Sequence, residues 1–361
     1  MGGSFKTTYK DDVALFQNLW VKVWFGILVG LLFAAPSVLS AYQLSILNEM
    51  AIAVIGALGL NLLIGYTGQI SLGHGAFLAI GAYSTALLTS NLGLPFVVSL
   101  PLSGLVAALL GMIVGIPALR LKGLYLALGT LAFGFIVDYV LFHWDLTKGD
   151  MGLAVRRISV CSLVVRTEGQ FFYFVTAIAA LATLCAKNIA RSKIGRSFVA
   201  IRDRDIAAEA MGIPLAKYKV MAFAISSFYA GIAGCLLAHY HQWIVPGIFD
   251  LSLSIAYIAM IILGGLGTIL GPILGAILIT GIPHGIVYVA DIFNETHPVL
   301  GGLIVDLKLG IFGLIVVLAL LFEPRASQEF TVGPRSIGRP GRSSTSERPG
   351  WALSRTESAA A

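Results

Sequence analysis

The sequence predicts an all-α polytopic membrane protein of about ten transmembrane helices, some of them broken at glycine-rich segments, with both termini cytoplasmic. Three observations predict this. Of the 361 residues, 57% are hydrophobic and only 12% are charged, with a mean hydropathy of +0.89; soluble domains carry about 25% charged residues. The apolar residues fall into runs of about 20, the length that crosses roughly 30 Å of hydrocarbon. The cations are also segregated. With the N-terminus inside, nineteen of the 24 Lys and Arg fall in inner segments, and four (Lys148, Arg156, Arg157 and Arg166) in outer ones. That is the distribution the positive-inside rule demands.

Residues 1–21 form a polar cytoplasmic segment with Asp11 and Asp12, unlike a cleavable signal peptide. The membrane domain then runs over 22–325, with spans expected at 22–41, 46–65, 71–90, 96–116 and 123–142, then at 170–187, 220–240, 252–270, 272–290 and 302–322. Two stretches are rich in glycine: IGYTGQISLGHGAFLAIGAY (64–83) and ILGGLGTILGPILGAI (262–277), the latter with Pro272. Glycine lets helices approach closely. Glycine and proline together also suggest broken helices that line a path, where freed backbone groups face protein or a watered cavity. In the first stretch and just before it, Asn61, Tyr66, Gln69, Ser71 and His74 are the polar residues expected to line such a path. A lone histidine such as His74 is more often a hydrogen-bonded packing residue than a proton carrier.

Asp138 and His143 are placed at the outer end of the fifth span, and Gln43, Asn48 and Glu49 at the outer end of the second. Intramembrane carboxylates are costly, about 2.5–3.5 kcal/mol on insertion scales, and no chain of them is expected at mid-depth. The outer segment 143–169 is long enough for a short strand or helix. Its Thr147-Lys148-Gly149-Asp150-Met151-Gly152 run brings in a cation and an anion.

The polar island 187–219 holds eight Lys or Arg and three acidic residues between two apolar runs. Within it, Ser197 to Met211 is expected to form one helix, capped by Ser197 and stopped by Gly212 and Pro214. Its alanines permit close approach of a partner and its charges give register, so the island reads as a docking element. The tail 326–361, rich in Ser, Gly, Pro and Arg, is expected to be disordered.

Several classes of function are disfavoured. The basic balance is explained by topology rather than by nucleic acid. Cys161, Cys185 and Cys235 have neither CxxC nor Cys/His metal spacing, and no metal site is expected. There is no GxSxG, HExxH or Walker A loop, so the chain is not expected to be an enzyme or to bind a cofactor.

Four motifs in order, GLNLLIGYTGQISLGHGAFLAIGAY (59–83), AIRDRDIAAEAMGI (200–213), ILGGLGTILGPILGA (262–276) and LLFEPR (320–325), resemble the LivM permeases of bacterial branched-chain amino-acid ABC importers. Permeases for urea and short-chain amides look much alike. The resemblance implies a multi-pass subunit of the bacterial inner membrane, paired with a LivH-like second permease. LivG- and LivF-like ATPases would dock below and consume ATP and Mg, and a periplasmic binding protein would deliver the amino acid. The island then matches the coupling loop, with Arg202, Asp205, Ala207, Ala208, Glu209 and Gly212 as the ATPase-coupling residues. Ala207, Ala208 and Gly212 fit the importer spacing, while Ile206 stands where an acidic residue is usual. A self-contained secondary transporter is the competing reading, favoured by the glycine breaks and disfavoured by the coupling-like helix.

Overall fold

The computed structural model describes residues 30–296, except 122, 161–162 and 166, and beyond them residues 310, 313–314 and 317. Segment 1–21, most of the expected span 302–322, the LLFEPR motif and the tail 326–361 lie outside the described residues. Of the expected span 22–41, residues 30–38 are described and helical (α1). Next are α2 (Ala41–Thr67), α3 (His74–Ser90), α4 (Phe96–Ala118), α5 (Leu124–His143) and α6 (Glu168–Arg191). Then come α7 (Lys193–Asp203), α8 (Asp205–Ala210), α9 (Leu215–His241), α10 (Leu251–Gly264) and α11 (Leu270–Thr296). Among the described residues seven helical stretches are long and apolar enough to cross a membrane, and the chain is a multi-pass helical membrane protein. The helix α3, with 17 residues, is shorter because it begins inside the bundle.

The core is built on α2, α3 and α9. From Ile52 to Thr67 every residue of α2 is buried, the mark of a helix apolar on all sides and enclosed by others. Small residues let the backbones meet. A Cβ on Gly231 of α9 would lie 2.7 Å from the Ala107 Cβ and 2.9 Å from the Gly104 Cα of α4, and α3 reaches the same point through Gly81. Polar ties fix the neighbours: the Tyr229 hydroxyl donates to the Ala182 carbonyl of α6 at 2.9 Å, and Asn48 Nδ2 to Glu168 Oε2 at 3.0 Å. Cys185 and Cys235 lie in α6 and α9 as free thiols.

The island departs from the expected single helix. The helix α6 runs on to Arg191, and Ser192, not Ser197, caps α7, its hydroxyl accepting from the Ile194 N–H at 3.1 Å. Ser197 lies inside α7, bonded to the Lys193 carbonyl. At Arg204 the backbone is extended (φ −156°, ψ 102°), and α8 starts afresh at Asp205. The physical reason lies in what each piece buries. Phe198 and Ile201 anchor α7 against the bundle, while Ala208 alone is buried in α8. Asp205 Oδ1 accepts from the Ile206 N–H and restarts the helix. Gly212, at φ +80°, ends it as expected.

At the opposite end of the bundle, the outer segment does form short strands. β1 (Leu153–Ala154) pairs antiparallel with β4 (Trp243–Ile244), and β2 (Ser159–Val160) with β3 (Leu163–Val164). Two 3-10 turns, Asp145–Thr147 and Gly149–Met151, precede them.

Candidate functional site

The first glycine-rich stretch is broken. Gly68, at φ +69°, ends α2 with its N–H on the Ile64 carbonyl, and residues 69–73 are not helical until α3 begins at His74. The turn leads inward. The His74 ring sits 3.1 Å from the Gly56 carbonyl, and Gly56 lies roughly 16 Å from one end of α2 and roughly 22 Å from the other at 1.5 Å per residue. The helix α3 therefore starts near mid-height.

A second break meets it there. From the end of α9, residues 242–250 turn back into the bundle through a 3-10 turn, Pro246–Phe249, before α10 starts. The Gly75 N–H donates to Ser254 Oγ at 2.8 Å. A Cβ on Gly75 would lie 2.9 Å from the Phe249 carbonyl oxygen and 3.1 Å from that of Asp250. Two helix N-termini thus converge inside the protein, each carrying a partial positive charge. Asp250 answers one of them, capping the Leu253 N–H at 3.0 Å. Asp138 borders the same junction with Gly73 and Ser254. The sequence placed Asp138 simply at a helix end; its Oδ1 is buried, with no hydrogen-bond partner among the described residues.

Four of the five residues expected to line a path divide into two pairs, and Tyr66 stands apart. Gln69 and Ser71 lie on the unwound segment, 5% and 1% exposed. Gln69 Oε1 and Ser71 Oγ have no hydrogen-bond partner among the described residues, although Gln69 Nε2 donates to Thr67 Oγ1. The unwound N–H of Leu72 is satisfied by Thr130 Oγ1 at 2.9 Å. His74 and Asn61 are committed elsewhere. His74 holds the Gly56 carbonyl and meets the Tyr257 ring edge-on at 5.1 Å. Asn61 receives the Gly267 N–H at 3.0 Å and donates to the Thr268 carbonyl at 2.7 Å, stapling α2 to the turn between α10 and α11. Tyr66 is buried at the end of α2.

Arg202 connects this region to the island. Its Nη1 donates to the Gly65 carbonyl at 2.8 Å, and a Cβ on Gly267 would fall 2.8 Å from the same nitrogen. The guanidinium thus sits between the end of α2 and the α10–α11 turn. Beside it opens a cavity of about 280 Å³, bordered by Thr67, Gln69, Leu121, Asp205 and Lys219. Lys219 Nζ and Asp205 Oδ2 approach to 3.9 Å across it. Of the remaining coupling residues, Ala207, Glu209 and Gly212 are exposed and Ala208 is 4% exposed. Ile206 and Met211 project outward, 77% and 83% exposed.

At the other pole, two adjoining hollows share Arg157 and His239. The sequence does not mark this site, because Arg157 reads only as one of four outer cations. The one signal the sequence offers is His239 itself, an ionisable residue at the end of the apolar run of α9. Among the described residues no group of three or more His, Cys, Asp or Glu is placed to hold a metal ion.

Compared with known proteins, residues 42–320 match a family model described as "Branched-chain amino acid transport system / permease component". The chain is 34% identical over 283 residues to the "High-affinity branched-chain amino acid transport system permease protein LivM" of Escherichia coli, covering 72% of this chain and 67% of that protein. The protein of the same description from Salmonella typhimurium is 33% identical with the same coverage. The "Autoinducer 2 import system permease protein LsrC" of an Enterobacter species is 28% identical over 280 residues, 73% of this chain and 76% of that protein. No solved structure matches.

Proposed function

The chain belongs to the branched-chain amino-acid transport permease family, and from that premise we propose that it is the LivM-type permease subunit of an ATP-binding-cassette importer for branched-chain or related hydrophobic amino acids. It sits in the bacterial inner membrane with both termini and the island inside, as segment 1–21, membrane domain 22–325 and tail 326–361. A LivH-like permease completes the path. LivG- and LivF-like ATPases bind the island and consume the ATP and Mg, and a periplasmic binding protein delivers the solute to the opposite pole.

The observation that carries this reading is the form of the island. Ile206 and Met211 are large apolar side chains, 77% and 83% exposed, on the short helix α8 and at its C-terminal cap, at the cation-rich pole. Charged neighbours such as Arg204 and Glu209 surround them. An apolar patch with a polar rim fits a protein partner. The same island reaches inward through Arg202 to Gly65, so movement of a docked partner is passed to the unwound segment as a rigid-body shift.

The test is purification of the full chain from its host in mild detergent. Two Walker A proteins and a second permease are expected to accompany it, and an Ile206→Glu, Met211→Glu double variant is expected to lose the ATPases while still inserting. Gly212→Leu is expected to retain ATP hydrolysis but lose uptake, because φ +80° disfavours a side chain by about 1–2 kcal/mol. Recovery of the chain alone, with ion-driven uptake in liposomes, would instead establish a self-contained secondary transporter.

A second reading concerns the cargo. The charged pair Lys148 and Asp150 in the outer segment favours a polar small solute such as urea or a short-chain amide. Uptake assays with each solute class decide between them.

A further inference from the structure

The two hollows at the pole opposite the island are built for a small molecule carrying both charges. The narrower, about 40 Å³, is bordered by Arg157, Glu168, His239, Tyr240 and Gln242. The wider, about 160 Å³, is bordered by Thr89, Leu94, Pro95, Phe96 and Arg156, so polar and apolar groups share its wall. Arg157 and His239 border both. We propose that this pair of hollows binds the incoming solute as an α-amino-acid zwitterion, its charged groups on Arg157, Glu168 and His239 and its branched side chain along Leu94, Pro95 and Phe96.

Each polar group is held in place by the fold. Arg157 follows β1, whose pairing with β4 and whose Val155 N–H bond to the Gln242 carbonyl, at 2.8 Å, fix the segment. Gln242 Oε1 accepts from Arg157 Nε at 3.3 Å, which leaves the two Nη groups for a carboxylate. Glu168 is anchored through Asn48 Nδ2 at 3.0 Å, with Asn48 itself 0% exposed. His239 is 3% exposed, and its Nδ1 lies 2.9 Å from the Cys235 carbonyl. A carbonyl only accepts, so Nδ1 carries the proton, and the neutral ring presents a bare Nε2 as an acceptor. The ring itself is wedged edge-on against Phe96 at 4.7 Å. Glu168 and Nε2 thus suit an ammonium, and Arg157 suits a carboxylate.

This assignment rests on the importer reading, and the experiment separates the two. The complete transporter, reconstituted in nanodiscs without its binding protein, is probed by saturation-transfer NMR with leucine, 3-methylbutylamine (no carboxylate) and 4-methylpentanoate (no amine). Leucine is expected to give the strongest transfer, by about tenfold, the worth of one charge-assisted contact. Arg157→Gln should bring leucine down to the level of the amine, and Glu168→Gln to that of the acid. Leu94→Trp, at a half-buried loop position, should abolish transfer with the complex still assembled. Equal signals from all three compounds, or variants that leave the leucine preference intact, overturn the site. If the wild-type complex with its binding protein then still takes up leucine on ATP, only the site has failed. If it takes up no amino acid, the importer reading has failed with it.

Discussion

Two glycine-rich stretches, around 68–73 and around 264–271, look interchangeable in the sequence and serve different ends in the fold. The first unwinds. Its backbone enters the bundle, borrows Thr130 and Ser254 as partners, and leaves Gln69 Oε1 and Ser71 Oγ without one among the described residues. The second is a hairpin turn between α10 and α11. There glycine lets the two helices close on one another, with Gly264 and Gly271 too near for any side chain. The counterpart of 68–73 is instead 242–250, which contains one glycine, Gly247. Those two segments enter from opposite poles and end at the same junction. Composition reports where a backbone is crowded or turned; only the contacts tell which of the two it is.

The sharpest way to break this contrast is a single methyl group. Gly75→Ala puts a Cβ 2.9 Å from a backbone carbonyl oxygen of the opposing break, and neither helix start can give way without moving the other. The expected cost is about 1–3 kcal/mol of stability, read as a lower unfolding midpoint of the detergent-purified complex, with uptake lost. Gly285→Ala, with nothing within 4 Å, should be neutral or stabilising by up to about 1 kcal/mol. If both variants behave alike, the junction is not closely packed.

The next effect concerns the island. Arg202→Ala removes the link to Gly65 and frees the guanidinium's place beside Gly267. A hydrogen bond to a charged group contributes about 1.5–3 kcal/mol, so uptake per ATP hydrolysed should fall by about tenfold or more while the ATPases stay bound. Reconstituted vesicles measure both quantities at once. Loss of ATPase binding in this variant would mean that Arg202 faces the partner instead, as the motif resemblance alone implies.

Much of this was legible in advance. Nine of the expected spans overlap described helices, the first through α1, because runs of apolar residues are the strongest signal a membrane protein carries. The break after Thr67 was marked by Gly65, Gly68 and Gly73. The re-entrant turn 242–250 was not, since it relies on Pro246, on an unusual left-handed Gln242 (φ +59°) and on tertiary contacts. The split of the island at Arg204 was hidden for a related reason. Alanine-rich propensity favours one helix, and only the burial of Phe198 and Ile201 on one side of the split, and of Ala208 on the other, sets two directions. Asn61 and His74 show the limit most clearly: residue type marked both as functional, yet their partners are a turn and a helix carbonyl.

Asn61 therefore offers the mildest test of the contrast between an unwound path and a packed turn. Its side chain uses both ends on the α10–α11 turn, one on the Gly267 N–H and one on the Thr268 carbonyl. Asn61→Leu keeps the volume close but leaves those two backbone groups unpaired in a region that is 0% exposed at position 61. Each unsatisfied group costs about 1–3 kcal/mol, reduced where the turn relaxes toward water. The variant should lose stability in a thermal melt while its solute preference and apparent affinity stay at wild-type values at low temperature. A changed preference among leucine, isoleucine and valine would place Asn61 on the path after all. The 264–271 turn would then share in translocation with 68–73 instead of bracing it.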